Sequence, residues 1–202
     1  NRAASSLARN FPGGTPAFVA AMNVKAASLG MTHTSFSDPT GLSARNVSTA
    51  NDLATLVAAA AQYPQIRDFS TTGSHYVEVQ PTGQLLGFSN TNNLVKSAQW
   101  DIQVSKTGYI REAGKCLVML ATIASKPFVI VLLDSAGKYT RLGDAQRVRH
   151  RGMLHLGGGG RAEGLGVLRV DEAFVADAHH RGVGARQQHL HRQNRAAHRI
   201  RS

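Results

Sequence analysis

Val104-Ser105-Lys106-Thr107-Gly108-Tyr109 is the stretch whose residue types can do chemistry together. Lys106 offers a compact positive charge, and Thr107 a hydroxyl that both donates and accepts. Gly108 has no side chain, so a ligand backbone can come close. The stretch stands at the end of Trp100–Val104, which reads as a short strand. A lysine, a threonine and a glycine placed there can hold a carboxylate at the edge of a sheet. Alone, the triplet does not specify a function, because a turn after a strand explains it equally well.

Two other sets of residues qualify for chemistry on type. Cys116, in Lys115-Cys116-Leu117-Val118-Met119-Leu120, reads as a buried thiol in a strand. As the single cysteine it forms no internal disulfide, and it has no cationic helper beyond Lys115. His179, His180, His189, His191 and His198 raise the question of a metal, but their region has no cysteine and its acids are not spaced as ligands. The reading therefore expects no metal and no cofactor.

The elements that must position Lys106 follow from period and punctuation. Residues 1–9 are alanine-rich and helix-permissive, and Phe11-Pro12-Gly13-Gly14 is a turn. Thr15 is read as the cap of a helix with Pro16 at its first position, its apolar face Phe18, Ala21, Met22, Ala26 and Leu29, and Gly30 its stop. Asp38-Pro39-Thr40-Gly41-Leu42 is a rigid connector. Thr49-Ala50-Asn51-Asp52 resembles a capping box ahead of the stripe Leu53, Leu56, Val57 and Ala60, which must end before Pro64. From residue 74 the period falls to two, and Pro81-Thr82-Gly83 reads as a hairpin turn between Tyr76–Val79 and Leu85-Leu86. Asn90-Thr91-Asn92-Asn93 is a loop. Lys115–Ile123 and Phe128–Ser135 are apolar strands whose short link, Ala124 to Pro127, makes them antiparallel. Thr140–Arg149 reads as a helix with Leu142, Ala145 and Val148 on one face.

Composition supports one globular domain: 202 residues, 42% hydrophobic and 17% charged. No apolar run approaches the roughly 20 residues of a membrane helix, so no transmembrane segment is expected. The start lacks both a secretory apolar core and a methionine, which suggests a chain that begins inside a longer one. The formal net charge of +11 suits an acidic partner, but it is unevenly made. Residues 1–150 hold six Lys and eight Arg against eight acids; residues 151–202 hold nine Arg, no Lys, four acids and six of the nine His. Residues 151–202, which include Gly157-Gly158-Gly159-Gly160, are read as a basic Arg/His/Gly-rich tail, disordered or encoded in a shifted reading frame.

Taken together, Asp38-Pro39-Thr40-Gly41-Leu42, Ser48-Thr49-Ala50-Asn51-Asp52-Leu53 and Lys106-Thr107-Gly108-Tyr109, in that order, resemble the serine D-alanyl-D-alanine carboxypeptidases and endopeptidases. These are the low-molecular-mass penicillin-binding proteins of peptidase S11 type. The likeness is closest to the endopeptidase branch and covers about residues 1–150. It implies an α+β fold of β-lactamase/DD-peptidase type, an antiparallel sheet flanked by helices, here incomplete at its N-terminal side. It implies acyl transfer on the D-Ala-containing stem peptide of peptidoglycan, binding of β-lactam antibiotics by the intact family, and a periplasmic location.

The family's chemistry uses three elements. In Ser-x-x-Lys on a helix the lysine lies one turn from the serine and takes its proton. Ser-x-Asn positions the substrate amide, and by the resemblance Asn1 is that catalytic asparagine. Lys-Thr-Gly binds the substrate carboxylate, so Lys106, Thr107 and Gly108 are the substrate-binding residues, and Tyr109 lends a backbone N–H to the oxyanion hole. Ser28, Ser35 and Ser105 all lack a lysine three residues on, and the expectation is that nucleophile and base are absent and this chain is inactive. Class A β-lactamases share the third element but need a glutamate between the second and third; the only one there is Glu78, read as a solvated strand residue.

Two rival readings stand beside this one. The Arg/His tail can contact nucleic-acid phosphates, against which Phe174 is its only aromatic and no fold for that work is recognised. A non-catalytic wall-peptide binder would use Lys106 and Thr107 alone.

Overall fold

Two long apolar runs, Gly114–Ile123 (β4) and Lys126–Ser135 (β5), form the centre of the molecule in a computed structural model that describes residues 1–156, with side chains to Met153. They pair antiparallel, and Asp101–Ile110 (β3) pairs antiparallel with β4, giving the sheet order β3-β4-β5. Ala124 and Ser125 make the β4–β5 link with φ of 48° and 63°, a left-handed pair that matches the strands' twist.

Alternation divides the sheet residues between two faces. Val104, Leu120, Val129 and Val131 form one buried cluster with Val57 of Ala50–Ala60 (α3), and Val118 packs against it. Leu117, Met119, Ala121, Ile130 and Leu132 alternate with these and are also buried. Lys138–Leu156 (α5) packs on β4 and β5 and buries Arg141, Ala145 and Val148 at spacings of four and three. Both faces of the central strand are thus covered, which is why β4 and β5 read as continuous apolar runs rather than as alternating ones.

The remaining elements are Arg2–Arg9 (α1) packed on Gly14–Ser28 (α2), Pro64–Thr71 (α4), and a separate two-stranded hairpin of Ser74–Val79 (β1) and Gln84–Ser89 (β2). The α3 cap is as expected: Thr49 Oγ1 accepts from Asp52 N at 3.2 Å. The Asp52 carboxylate does not close the box. Buried, it turns to residues 33 and 34 instead, accepting from the Thr34 hydroxyl at 2.7 Å and from His33 N at 2.9 Å, and these bonds hold its pKa below the usual aspartate value. Asn23 of α2 clamps the same connector from the other side, exchanging two 2.8 Å bonds with the Phe36 backbone. Asp38 knits the connector internally with bonds from Thr40 N, the Thr40 hydroxyl, Ser43 N and Asn46 Nδ2.

Five expectations are corrected. The α2 cap is Gly13, in the left-handed region at φ 85°, not Thr15; Gly14 opens the helix and Pro16 stands within its first turn. The helix α4 was not anticipated, although Pro64 at its first position is a standard start signal. The Lys-Thr-Gly stretch does not follow a strand but lies inside β3, which runs on to Ile110. Cys116 is in β4 as expected but only half-buried, its Sγ 3.3 Å from the Ala113 carbonyl it donates to. The helix α5 also continues past Arg151 to Leu156. Residues 157–202, with the five histidines considered as metal ligands, lie outside the described residues. Among the described residues, no helix is long and apolar enough to cross a membrane.

Candidate active site

The strand β3 stands at the edge of its sheet, and its register decides which groups face outward. In an antiparallel pair a residue's N–H and C=O point to the same side, and alternate residues share that side. Ser105 N–H donates to Ser70 Oγ of α4 at 3.2 Å, away from β4. Two and four residues on, Thr107 and Tyr109 present their backbone groups to the same free edge. The Thr107 carbonyl accepts from Lys106 Nζ, so a ligand can exchange with an internal bond. The Tyr109 N–H is an edge donor of the kind an oxyanion hole needs.

On the sheet face, Lys106 and Gly108 lie opposite Val118 and Cys116. A Cβ at Gly108 would meet only the Cys116 Cβ, at 3.8 Å, so the fold leaves room there and the missing side chain serves the approach of something else. The Thr107 hydroxyl, on the other face, is 2.5 Å from the Thr91 hydroxyl. Tyr109 is 63% exposed, and Lys115 Nζ lies 4.6 Å from the centre of its ring.

The electrostatics centre on two cations. Lys106 is exposed along its length, yet enough protein surrounds its ammonium that desolvation, and after it the Arg141 guanidinium, lowers its pKa. Arg141 enters from the buried face of α5 and is 5% exposed. It reaches the sheet where β5 bulges: Lys115 and Leu117 pair with Ser135 and Leu132, leaving Cys116 between them without a β5 partner. Arg141 Nη1 takes that vacant position, donating to the Cys116 carbonyl at 2.9 Å, while its buried Nε has no partner. Burial lowers the Arg141 pKa as well, and the nearby Cys116 opposes that shift. Among the described residues neither Lys106 nor Arg141 is paired with a carboxylate. Two neighbouring like charges without a counter-ion, one of them buried, make a site that favours an anion.

Arg141 is a site residue that sequence reasoning missed. The available signal was an arginine four and seven residues ahead of the buried Ala145 and Val148, where an apolar residue is expected. Asn1 is exposed at the N-terminal end of α1, its carbonyl accepting from Ser5 N at 3.0 Å and its side chain making no capping bond. No hydrogen bond joins it to Lys106, Thr107 or Tyr109 among the described residues. Glu78 is exposed on β1 and accepts from the Gln80 side chain at 3.1 Å.

One serine does have a lysine three residues on: Ser135-Ala136-Gly137-Lys138. Its geometry differs from the helical Ser-x-x-Lys. Ser135 ends β5, paired with Lys115, and Lys138 opens α5, so no turn of helix places them on one face. It also follows Lys-Thr-Gly in the chain rather than preceding it.

Comparisons with known proteins show the family and the fold. Residues 1–137 match the protein-family model of D-alanyl-D-alanine carboxypeptidase, peptidase S11. The chain is 52% identical over 149 residues to a D-alanyl-D-alanine endopeptidase of Pseudomonas aeruginosa, and 51% identical over the same length to one of Escherichia coli. Each alignment covers 74% of this chain and 48% of the relative, so the chain spans about half the length of the curated relatives it matches. Among solved structures it is similar to the Streptomyces K15 DD-transpeptidase, with a TM-score of 0.68 and 30% identity over 75% of this chain and 62% of that one. It is also similar to penicillin-binding protein D2 of Listeria monocytogenes in its cefotaxime-bound form, with a TM-score of 0.62 and 30% identity over 75% of this chain and 60% of that one.

Proposed function

Because the chain belongs to the D-alanyl-D-alanine carboxypeptidase family, peptidase S11, we propose that it carries the carboxylate-binding part of a serine DD-peptidase site. The substrate class is the D-Ala-containing stem peptide of peptidoglycan, met outside the cytoplasm. The observation that carries this reading is Lys106 at the open edge of β3, a cation with no carboxylate partner among the described residues, whose field the buried Arg141 guanidinium reinforces.

In this reading the terminal carboxylate of the peptide is held by Lys106 and the Thr107 hydroxyl, with the buried Arg141 adding positive charge from behind. The peptide backbone lies along the β3 edge past Gly108, where its carbonyl meets the Tyr109 N–H. That donor is fixed before the substrate arrives, so it stabilises a developing oxyanion without reorganisation. Acyl transfer further needs a serine and a base to take its proton. The geometry of Ser135 and Lys138 does not supply them, and Asn1 is assigned as the asparagine of the Ser-x-Asn element by resemblance. These 202 residues therefore bind the peptide and do not turn it over.

The test is calorimetric titration of the chain with a short peptide ending in D-Ala-D-Ala and with the same peptide as its C-terminal amide. The free acid binds and the amide binds at least about tenfold more weakly, as expected for loss of a charge-assisted contact. Lys106→Ala removes most of the difference. Equal affinity for acid and amide overturns the reading.

A further inference from the structure

The loop Asn90-Thr91-Asn92 is bonded far more heavily than a connector requires. Asn90 donates its side-chain amide to the Ser70 carbonyl at 2.9 Å and the Thr72 carbonyl at 3.1 Å, and its backbone N–H to Gly73 at 2.9 Å. Its Oδ1 accepts from Asn92 N at 3.0 Å. Asn92 is 0% exposed; its Nδ2 donates to Ser105 Oγ at 2.9 Å and its Oδ1 accepts from Leu94 N at 3.2 Å. Asn90 thus ties the loop to the end of α4 and Asn92 ties it to β3. Between them Thr91 is held with its hydroxyl 2.5 Å from the Thr107 hydroxyl.

We propose that Thr91 is a positioning residue for the carboxylate site: its hydroxyl donates to Thr107 Oγ1 and so fixes and polarises the Thr107 hydroxyl with its hydrogen pointing at the ligand's carboxylate. The argument is one of proton inventory. Two facing hydroxyls share one hydrogen bond and either can be the donor. If Thr107 donates to Thr91, its only hydrogen is spent and it meets an anion with lone pairs alone. If Thr91 donates, Thr107 keeps its hydrogen for the anion, and the two bonds polarise one another in the same direction. An arriving carboxylate selects the second arrangement. The bonds on either side of Thr91 mean that little conformational freedom is lost when this relay sets. The inference rests on the carboxylate-site reading above and adds to it a residue that does not touch the ligand.

The experiment measures, for the full chain, the affinities of the D-Ala-D-Ala peptide and of its C-terminal amide with wild type, Thr91→Val, Thr91→Ser, Thr107→Val and the Thr91→Val/Thr107→Val pair. Thermal midpoints are recorded for each, and Thr91→Ala replaces Thr91→Val if valine disturbs the loop. Thr91→Val is expected to weaken binding of the acid about five- to tenfold, leave the amide unchanged, and have no further effect in the Thr107→Val background. Thr91→Ser is expected to restore affinity to within about twofold, since a serine hydroxyl is the same donor. Equal weakening of acid and amide marks a merely structural role and overturns the inference, as does a Thr91→Val variant that binds like wild type. Wild type that does not distinguish acid from amide overturns the carboxylate-site reading itself and this inference with it, which separates the two failures.

Discussion

Lys106 shows how a residue can be legible by type while its state is not. The Lys-Thr-Gly triplet has the residue types to hold a carboxylate, but the lowered pKa comes from desolvation and from Arg141, which stands 35 positions later in the chain. No local pattern pairs the two. The sign of the consequence can be worked through. A folded pKa below the ordinary lysine value of 10.5 means that the folded protein releases this proton before the unfolded chain does, so stability rises with pH between the two values. Ligand affinity runs the opposite way. A carboxylate favours the charged lysine, so affinity is full below the lowered pKa of the free protein and is lost as pH rises through it. Titrations across the alkaline range should therefore show the acid peptide losing affinity before pH 10.5, with proton uptake on binding there. A flat profile up to 10.5 would contradict the assigned role of Lys106. Gly108 gives a second residue-level prediction. Because a Cβ there finds only ordinary contact with Cys116, Gly108→Val leaves the thermal midpoint within a few degrees of wild type. It weakens the acid peptide at least about tenfold by obstructing approach along β3. Comparable binding by the two proteins would show that the ligand does not pass Gly108.

At the scale of elements, strands and caps were legible where one physical cause dominates. The runs of β4 and β5 are apolar because helices cover both faces, and the Thr49 cap uses the cap bond its sequence suggests. The start of α2 differs from the expectation because Thr15 and Pro16 are good start residues, whereas the left-handed turn that swings the chain into α2 can be made cheaply only by Gly13. The strand β3 runs past the expected end because the poor strand propensity of Lys106 and Gly108 does not decide the outcome. Pairing with the apolar Leu117 and Val118 holds it extended regardless. The far end of the β3–β4 hairpin depends on another glycine in a way sequence could not reveal. Gly114 sits at φ 65°, and a Cβ there would collide with the Asp134 carboxylate and lie 2.9 Å from the Asp134 Cα. Asp134 is itself left-handed, at φ 51°, within the β5 bulge. Gly114→Ala is therefore expected to cost about 2 kcal/mol, from the backbone term together with the clash. Chemical denaturation would register this as a lower midpoint at unchanged slope. A cost under about 0.5 kcal/mol would mean that the bulge relaxes freely, and that Arg141 is not held by it.

For the molecule as a whole, the central question is whether binding and chemistry reside in the same 202 residues. The sheet, α3 and α5 form a core that fixes Lys106, Thr107 and Tyr109 on β3 and Arg141 on α5, so the proposed binding part is built by long-range packing and not by a loop. Chemistry requires more: a serine oxygen with a proton acceptor one helical turn away, facing that site. Ser135 and Lys138 have the right spacing but join a strand to a helix, and Ser135 is fixed in the ladder opposite Lys115. On the proposed reading, a β-lactam presented to this chain meets a carboxylate site and an edge N–H, with no serine oxygen and base set one helical turn apart among the described residues. The expected result of incubating the purified chain with a fluorescent penicillin is reversible binding that competes with the acid peptide, and an intact mass unchanged after denaturation. A stoichiometric adduct would identify a nucleophile within these residues. Mapping it to Ser135 would mean that the β5–α5 junction rearranges into a helical turn in solution, and Ser135→Ala would then abolish the adduct while leaving peptide affinity intact. An adduct that survives Ser135→Ala would instead place the nucleophile among the residues beyond Leu156 or at another serine of the fold.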